Sequence, residues 1–378
     1  MPVIEVPTSL QDGAIADCHI RLCAFDTGLT YLLTGLAQLA RMGKIRLSQE
    51  VVPRPNIEHG RPWYLRDKDS TSSALVVDGR GSAFIDIHDS WEIDETALAS
   101  HSIYFKRSLN LARIAPRDHA NLRPLGLLHD LRSDGLDLFE ARRIWMQHLP
   151  RATRLQQLTT FATHSLAGAL NRGRRATLRV TTAAPDPYLA PRVLFMAALW
   201  DPQEVPAEDF VKRAEFEAIN EMRVQCVRLL RREFGKRFFG GVLRTPFALR
   251  CFPDEVLRDD SLTGKRAYLS LVRAFPICVA TTGLHESNGW KLAEYVSMSR
   301  AIVSEPLRYS VPGKFEPGKN YLPFVSATEC VDQVARLMSS EDSRAALMQC
   351  NFDYYRAWMR PDIAAWRIIQ LTRAASRS

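Results

Sequence analysis

The sequence is short of cysteine and of long apolar runs, and each shortage excludes a class of protein. Its 378 residues include seven cysteines. They are odd in number and contain no CxxC pair, so neither a zinc site nor a disulfide framework is expected. Residues 1–20 lack the basic start and apolar core of a signal peptide. The densest apolar stretch, residues 193–200, is far shorter than the ~20 residues that a membrane-spanning helix needs. We therefore expect a cytoplasmic protein.

The remaining composition is that of an ordinary globular protein with a modest positive charge. Hydrophobic residues make up 46% of the chain and charged residues 24%, which excludes a disordered or low-complexity protein. The 50 Lys and Arg residues outnumber the 42 Asp and Glu residues and give a net charge of +8. This excess is too small to identify a nucleic-acid-binding protein, but it is compatible with an anionic partner. The length predicts two or three domains.

Strand-like and helix-like segments alternate along the chain, as is typical of an α/β fold. A strand, a turn ending at Gly28 and an apolar helix occupy residues 19–42. The pattern restarts after the proline-rich residues 181–191, and successive β–loop–α–β units there favour a doubly wound parallel sheet. The sequence predicts two Rossmann-like domains and a C-terminal helical segment, at residues 1–185, 190–350 and 351–378.

Two acids separated by seven residues form the most informative motif. Glu286 precedes a helix that is predicted to begin near Gly289, and Glu294 lies about one and a half turns into that helix. The exposed N–H groups and positive dipole of a helix start favour phosphate oxygens, and Lys291 adds a cation there. A carboxylate beyond the phosphates can accept hydrogen bonds from ribose hydroxyls. The other carboxylate would face the group across the diphosphate, so the motif predicts a site for a nucleotide diphosphate sugar.

The same region resembles a known family of enzymes. Besides the two acids and the glycine, it contains Ser-Arg-Ala-Ile-Val-Ser-Glu-Pro-Leu at residues 299–307 and Pro-Gly-Lys-Asn-Tyr-Leu-Pro-Phe at 317–324. Residues 277–340 resemble the donor domain of GT-B glycosyltransferases of the group 1, family 4 type. The resemblance implies two Rossmann-like domains facing a cleft, with a C-terminal helix crossing back to the first domain. It also implies retaining transfer of a sugar to a hydroxyl of a glycan, lipid or other acceptor, with no metal and no cofactor.

The resemblance also assigns roles to individual residues. Glu286 resembles the catalytic acid beside the donor sugar, and Glu294 resembles the acid that holds the ribose. The remaining residues of the expected donor site are Gly283, His285, Ser287, Asn288, Gly289 and Lys291. Members of the family carry an arginine and a lysine after the first strand of this domain, where the present chain reads Leu199-Trp-Asp. Other cations must then hold the diphosphate, and the candidates are Lys291, Arg223, Lys265 and Arg266.

The first half of the chain offers weaker candidates for contacts to the acceptor or to phosphate. His88 and Asp89 follow a predicted strand, and either could bind the acceptor or act as the base of an inverting mechanism. The Lys106-Arg107 pair follows another apolar run. Gly28 lies in the first glycine turn. A capped strand end and ordinary surface charge explain these residues equally well. The Asp67-Lys-Asp69 sequence fits a metal motif but follows no apolar strand, so no metal site is expected.

A long helix is predicted to begin near Pro206, with Phe210, Ala214, Ala218 and Met222 on its buried face. Its cations, which include Lys212 and Arg223, are then either a solvated surface or a contact with an anionic membrane or a phosphate. The expected partners are a nucleotide sugar, a glycan or lipid-linked acceptor and the inner face of a membrane, without nucleic acid. The alternative is a non-catalytic scaffold that binds a nucleotide or glycan.

Overall fold

The computed structural model describes residues 15–22, 29–51, 72–115, 120–131 and 176–377. Gly28 and the Asp67-Lys-Asp69 sequence lie outside these ranges. The chain divides into two compact units. The first comprises Met1–Thr177, Tyr309–Pro312 and Arg356–Ser378, and the second comprises Leu178–Arg308 and Gly313–Tyr355.

The first unit is built on a six-stranded mixed sheet. Its strands are β1 (Ala16–Leu22), β2 (Ile45–Val51), β3 (Ser72–Val77), β4 (Gly81–Asp86), β5 (Ile103–Lys106) and β6 (Leu122–Pro124). They are arranged in the order β2-β1-β3-β4-β5-β6. Strand β3 runs antiparallel to both of its neighbours, and the other pairs are parallel. The sheet is therefore mixed, unlike the doubly wound parallel sheet expected of a Rossmann-like domain.

The α-helices beside this sheet, within the described ranges, are α1 (Leu29–Arg41), α2 (Glu95–Ser100) and the C-terminal α10 (Pro361–Ala375). Helices α1 and α10 pack together very closely, because Gly35 of α1 lies directly against the backbone of Pro361. The Tyr31 hydroxyl donates a hydrogen bond to the Met359 carbonyl just before α10. The C-terminal helix thus returns to the first unit, as the predicted fold class requires.

The second unit contains a five-stranded, wholly parallel sheet. Its strands are β7 (Val193–Ala197), β8 (Phe238–Val242), β9 (Ile277–Ala280), β10 (Ala301–Ser304) and β11 (Leu322–Pro323). Its helices are α3 (Leu178–Thr181), α4 (Phe210–Phe234), α5 (Pro246–Cys251), α6 (Lys265–Ala274), α7 (Trp290–Ser297), α8 (Ala327–Ser339) and α9 (Glu341–Tyr354). The strand segments β7, β9 and β10 are fully buried, which matches their apolar sequences. The two α/β units confirm the predicted fold class.

The order of the strands in the second sheet determines where a ligand can bind. The sequence β11-β10-β9-β7-β8 places β8 on one side of β7 and β9 on the other. The strand order therefore reverses between β7 and β9. In open parallel sheets, ligands bind at the carboxyl ends of the strands beside such a reversal.

The buried face of α4 differs from the predicted one. Phe210 is 75% exposed, whereas Lys212, Asn220 and Arg223 are buried. The helix thus turns a stripe of polar side chains toward the carboxyl ends of β7 and β9. They are buried because they hydrogen-bond to the loops there, as the site geometry shows.

Candidate functional site

The candidate site lies where β9 leads through residues 281–289 into α7. Helix α7 begins at Trp290 with Gly289 as its N-cap, and no side chain caps this end. Its first N–H groups therefore lie at the carboxyl end of β9, beside the reversal in strand order. This is the arrangement in which a helix dipole and main-chain N–H groups hold phosphate.

Arg223 of α4 braces the loops that follow β7 and β9. Its guanidinium donates to the Ala198 carbonyl at 2.7 Å, the Thr282 carbonyl at 2.9 Å and the Thr281 hydroxyl at 3.1 Å. Burial lowers the pKa of Arg223 to about 10, and the charge of Glu305 opposes this shift. The side chain remains a cation at neutral pH and adds positive potential to the crevice between the two strands.

Lys291, in the first turn of α7, places a second cation in the same crevice. Its ammonium donates to the Met196 carbonyl of β7 and lies 5.6 Å from the centre of the Tyr268 ring. Burial lowers the pKa of Lys291 to about 8; Arg223 and Lys265 lower it further and Glu294 raises it. Burial destabilises the charged form of Lys291, and an anion bound nearby would stabilise that form.

Glu294 lies in the second turn of α7, only 2% exposed. Its Oε1 atom accepts from the ammonium of Lys265 at the start of α6. The neighbouring Tyr268 and Tyr295 have pKa values well above the ordinary range because both are buried, so their phenols stay neutral. Glu294 is thus a buried hydrogen-bond acceptor beside two neutral phenols, with Lys265 on one carboxylate oxygen.

Glu286 lies on the other side of the helix start in an unusual backbone conformation. His285 and Glu286 both have φ near 58°. A non-glycine residue in this left-handed region costs roughly 1–3 kcal/mol, and such strain clusters at functional sites. The Glu286 side chain is 43% exposed, and its Oε1 atom lies 3.9 Å from Nε of Arg308.

Contacts from the first two turns of α4 hold this strained pair. The His285 N–H donates to the Glu215 carboxylate, and His285 Nε2 lies 3.2 Å from the Lys212 ammonium. Lys212 in turn donates to the second oxygen of Glu215 at 2.7 Å. The loop that carries Glu286 is thus fixed through its neighbour.

The rest of the predicted donor loop forms a tight turn. The Gly283 N–H donates to the Ser287 carbonyl at 2.9 Å. A Cβ atom at Gly283 would lie 2.7 Å from the Ser287 hydroxyl, so a larger residue here would require that side chain to move. Asn288 and Gly289 complete the turn and lead into α7. The structure therefore brings all eight predicted donor-site residues to one loop and the first turns of one helix.

The candidates of the first unit lie at the ends of β4 and β5. Lys106 is fully buried, and its ammonium forms a 2.8 Å ion pair with Asp86, which also accepts from the Tyr104 hydroxyl at 2.5 Å. This pairing gives Lys106 a structural role, and its contact with phosphate stays a prediction.

The neighbouring side chains are paired as well. The guanidinium of Arg107 forms an ion pair with Asp89. The His88 N–H donates to Asp86 Oδ1 at 2.8 Å, and its ring contacts Ser90. Such contacts favour the alternative of a capped polar strand end.

Sequence patterns missed two groups of residues at the site. Glu305, directly after β10, accepts from the Thr282 N–H at 2.8 Å and from its hydroxyl at 3.1 Å. Lys212 and Glu215 hold the strained loop. The only signal for these residues was their position, because Glu305 follows a buried strand and the other two lie at the start of a long helix.

The described residues contain neither a candidate metal site nor a candidate membrane-spanning helix. No group of three or more His, Cys, Asp or Glu residues in the described ranges is arranged to hold a metal ion. Within the same ranges, no helix has the length and apolar character needed to cross a membrane.

Comparisons with solved structures give distant neighbours. No family model and no curated protein matches the chain. The C-terminal domain of a group 1 glycosyl transferase family protein, LpcC from Francisella tularensis, is 13% identical, with a TM-score of 0.31 over 47% of this chain and 95% of that one. An α1,3-fucosyltransferase is 10% identical, with a TM-score of 0.34 over 100% and 93%. A variant of S. aureus TarM in complex with fondaparinux, α-GlcNAc-glycerol and UDP is 11% identical, with a TM-score of 0.34 over 82% and 66%.

Proposed function

We propose that the protein is a GT-B glycosyltransferase that uses a nucleotide diphosphate sugar as donor. One observation carries the proposal: two carboxylates, Glu286 and Glu294, lie on either side of a helix start at the strand reversal of a parallel sheet. Lys291 and Arg223 add positive charge at the same place. A ligand that matches this pattern has a dianionic centre with a hydroxyl-bearing group on each side. A nucleoside diphosphate joined to a sugar has that form.

In this proposal each side chain has one task. The start of α7 and Lys291 bind the diphosphate, and Arg223 bridges the two loops while adding positive potential. The buried carboxylate of Glu294 accepts hydrogen bonds from the ribose hydroxyls. Glu286 orients the donor sugar and stabilises the positive charge that develops at its anomeric carbon.

The chemistry that follows is mainly positioning and charge stabilisation. We infer a retaining front-face reaction in which the bond from the anomeric carbon to the diphosphate oxygen breaks and the acceptor oxygen bonds on the same face. The departing diphosphate takes the acceptor proton. Lys291 and the N–H groups of α7 stabilise the negative charge on the leaving group.

We propose that the sugar acceptor is a hydroxyl of a glycan or of a lipid-linked molecule. Cations at the exposed C-terminal end of α4 and beyond it fit an anionic membrane surface, namely Arg232, Lys236 and Arg237. Salt-sensitive sedimentation with anionic liposomes tests this part separately.

A panel of nucleotide sugars tests the function. We expect one donor class to raise the thermal stability of the protein and to release nucleoside diphosphate when an acceptor is present, with retained anomeric configuration by NMR. Binding without turnover would instead identify a nucleotide-binding scaffold. No binding by any nucleotide sugar would contradict the proposal.

Substitution of the two acids separates their roles. Glu294→Ala removes a charged acceptor and should raise the donor Kd by about 10- to 100-fold, since hydrogen bonds to charged groups contribute about 1.5–3 kcal/mol. Glu286→Ala should instead lower kcat by about 100-fold with little change in KM. Asp332→Ala, at an exposed position of α8, is the control. Unaltered kinetics in both site variants would refute the assignment.

A further inference from the structure

The strained loop beside the site is held by a contact with a distinct geometry. Glu215 uses both carboxylate oxygens, one for the main-chain N–H of His285 and the other for the ammonium of Lys212. That ammonium also contacts the His285 ring at 3.2 Å and lies 5.8 Å from the centre of the buried Phe216 ring. His285 is thus held at its main-chain N–H by Glu215 and at its ring by Lys212.

We propose that Lys212 and Glu215 form a positioning clamp for Glu286, and that this clamp sets the rate of sugar transfer without touching the substrate. The inference rests on the role proposed for Glu286. His285 and Glu286 share the left-handed conformation, so the main-chain hydrogen bond to one residue fixes the direction of the other. The Glu286 side chain is 43% exposed, and its Oε1 atom lies 3.9 Å from Nε of Arg308, itself 57% exposed. A displacement of the loop backbone therefore moves the Glu286 carboxylate.

Burial and charge indicate that the clamp is more than a surface ion pair. The Lys212 side chain is 10% exposed and that of Glu215 is 24% exposed. The pair follows i,i+3 spacing on α4, whose polar stripe also holds the neighbouring loops through Asn220 and Arg223. A long helix anchored in the core is a rigid support, and small displacements of a reacting group reduce rates strongly.

Three variants of the full-length protein test the clamp by hydrogen exchange and by kinetics. Glu215→Ala removes both contacts, and Glu215→Gln keeps a carbonyl acceptor for the His285 N–H. The matched control is Glu217→Ala, at an exposed position of the same helix. We expect amide exchange in residues 282–289 to speed at least about tenfold in Glu215→Ala and to stay near wild type in the other two.

The kinetic result should follow the same order. In Glu215→Ala, kcat should fall at least about tenfold while the KM for the donor stays within about twofold, because Lys291 and Glu294, which contact the diphosphate and the ribose, lie on α7 beyond the loosened loop. Glu215→Gln should recover most of the loss. Unaltered exchange, or faster exchange with full kcat, would overturn the clamp. If the wild type turns over no nucleotide sugar, the proposed function fails, and hydrogen exchange alone decides whether the clamp exists.

Discussion

The lowered pKa of Lys291 connects a single residue to the pH dependence of ligand binding. Burial brings this pKa to about 8, so the ammonium begins to lose its proton just above neutral pH. A bound diphosphate favours the charged form and raises the pKa, so binding is tight below pH 8 and weakens as pH rises through it. We expect the Kd for a nucleoside diphosphate to increase roughly tenfold from about pH 7 to about pH 9.

The control for this effect is an arginine at the same position. Lys291→Arg keeps a positive charge across the whole range, because a guanidinium does not titrate there. Isothermal titration calorimetry should show a flat pH profile for this variant. The same slope in wild type and Lys291→Arg would mean that another group titrates.

Lys106, unlike Lys291, carries a charge that stabilises the fold through its ion pair with Asp86. It and Asp86 are 0% and 1% exposed, and removal of one partner leaves the other as an uncompensated buried charge. We expect Lys106→Ala to lower the free energy of unfolding by about 3–5 kcal/mol, measured by urea denaturation. Arg46→Ala, which breaks an exposed pair with Asp17, is the control and should leave the midpoint unchanged. An equally stable Lys106→Ala variant that loses activity would restore the phosphate contact first expected for this lysine.

At the scale of elements, the contact between α1 and α10 depends on one missing side chain. A Cβ atom at Gly35 would lie 1.9 Å from the Pro361 carbonyl oxygen and 2.9 Å from the Ala365 Cβ atom. Gly35→Ala must therefore push the C-terminal helix outward, and overpacking of this kind typically costs about 1–3 kcal/mol. Thermal unfolding should show the loss. Gly264→Ala, whose nearest neighbour is the Ser261 carbonyl at 3.9 Å, should unfold like wild type.

The elements around the candidate site show what the sequence could and could not predict. Strand β9, helix α7 and the separation of Glu286 from Glu294 follow from an apolar run, a glycine turn and helical spacing, all of which are local signals. The buried face of α4 could not be predicted from local signals. Its apolar residue Phe210 is exposed, whereas Arg223 is buried because three loop oxygens need a donor. Pairing of that kind arises only when distant segments meet, so hydrophobic periodicity does not contain it.

At the scale of the whole molecule, the chain passes from its second unit to its first near Tyr355, between two consecutive helices. Helix α9 belongs to the second unit and α10 to the first, and only five π-helical residues and Arg360 separate them. The residues proposed to bind the nucleoside diphosphate all belong to the second unit. A ligand that binds only the native state stabilises it against unfolding, by about 2.7 kcal/mol at one hundred times its Kd. The unfolding that exposes core amides to exchange becomes correspondingly rarer.

We therefore expect a nucleoside diphosphate at that concentration to slow amide exchange about 100-fold in the core of the second unit, including α9. Exchange in α10 should stay as in the free protein, although it follows α9 directly in the chain. Mass spectrometry of peptides from residues 341–354 and 361–375 makes the comparison within one sample. Equal slowing in both peptides would show that the ligand stabilises the two units as one, whereas slowing confined to α10 would move the proposed site out of the second unit.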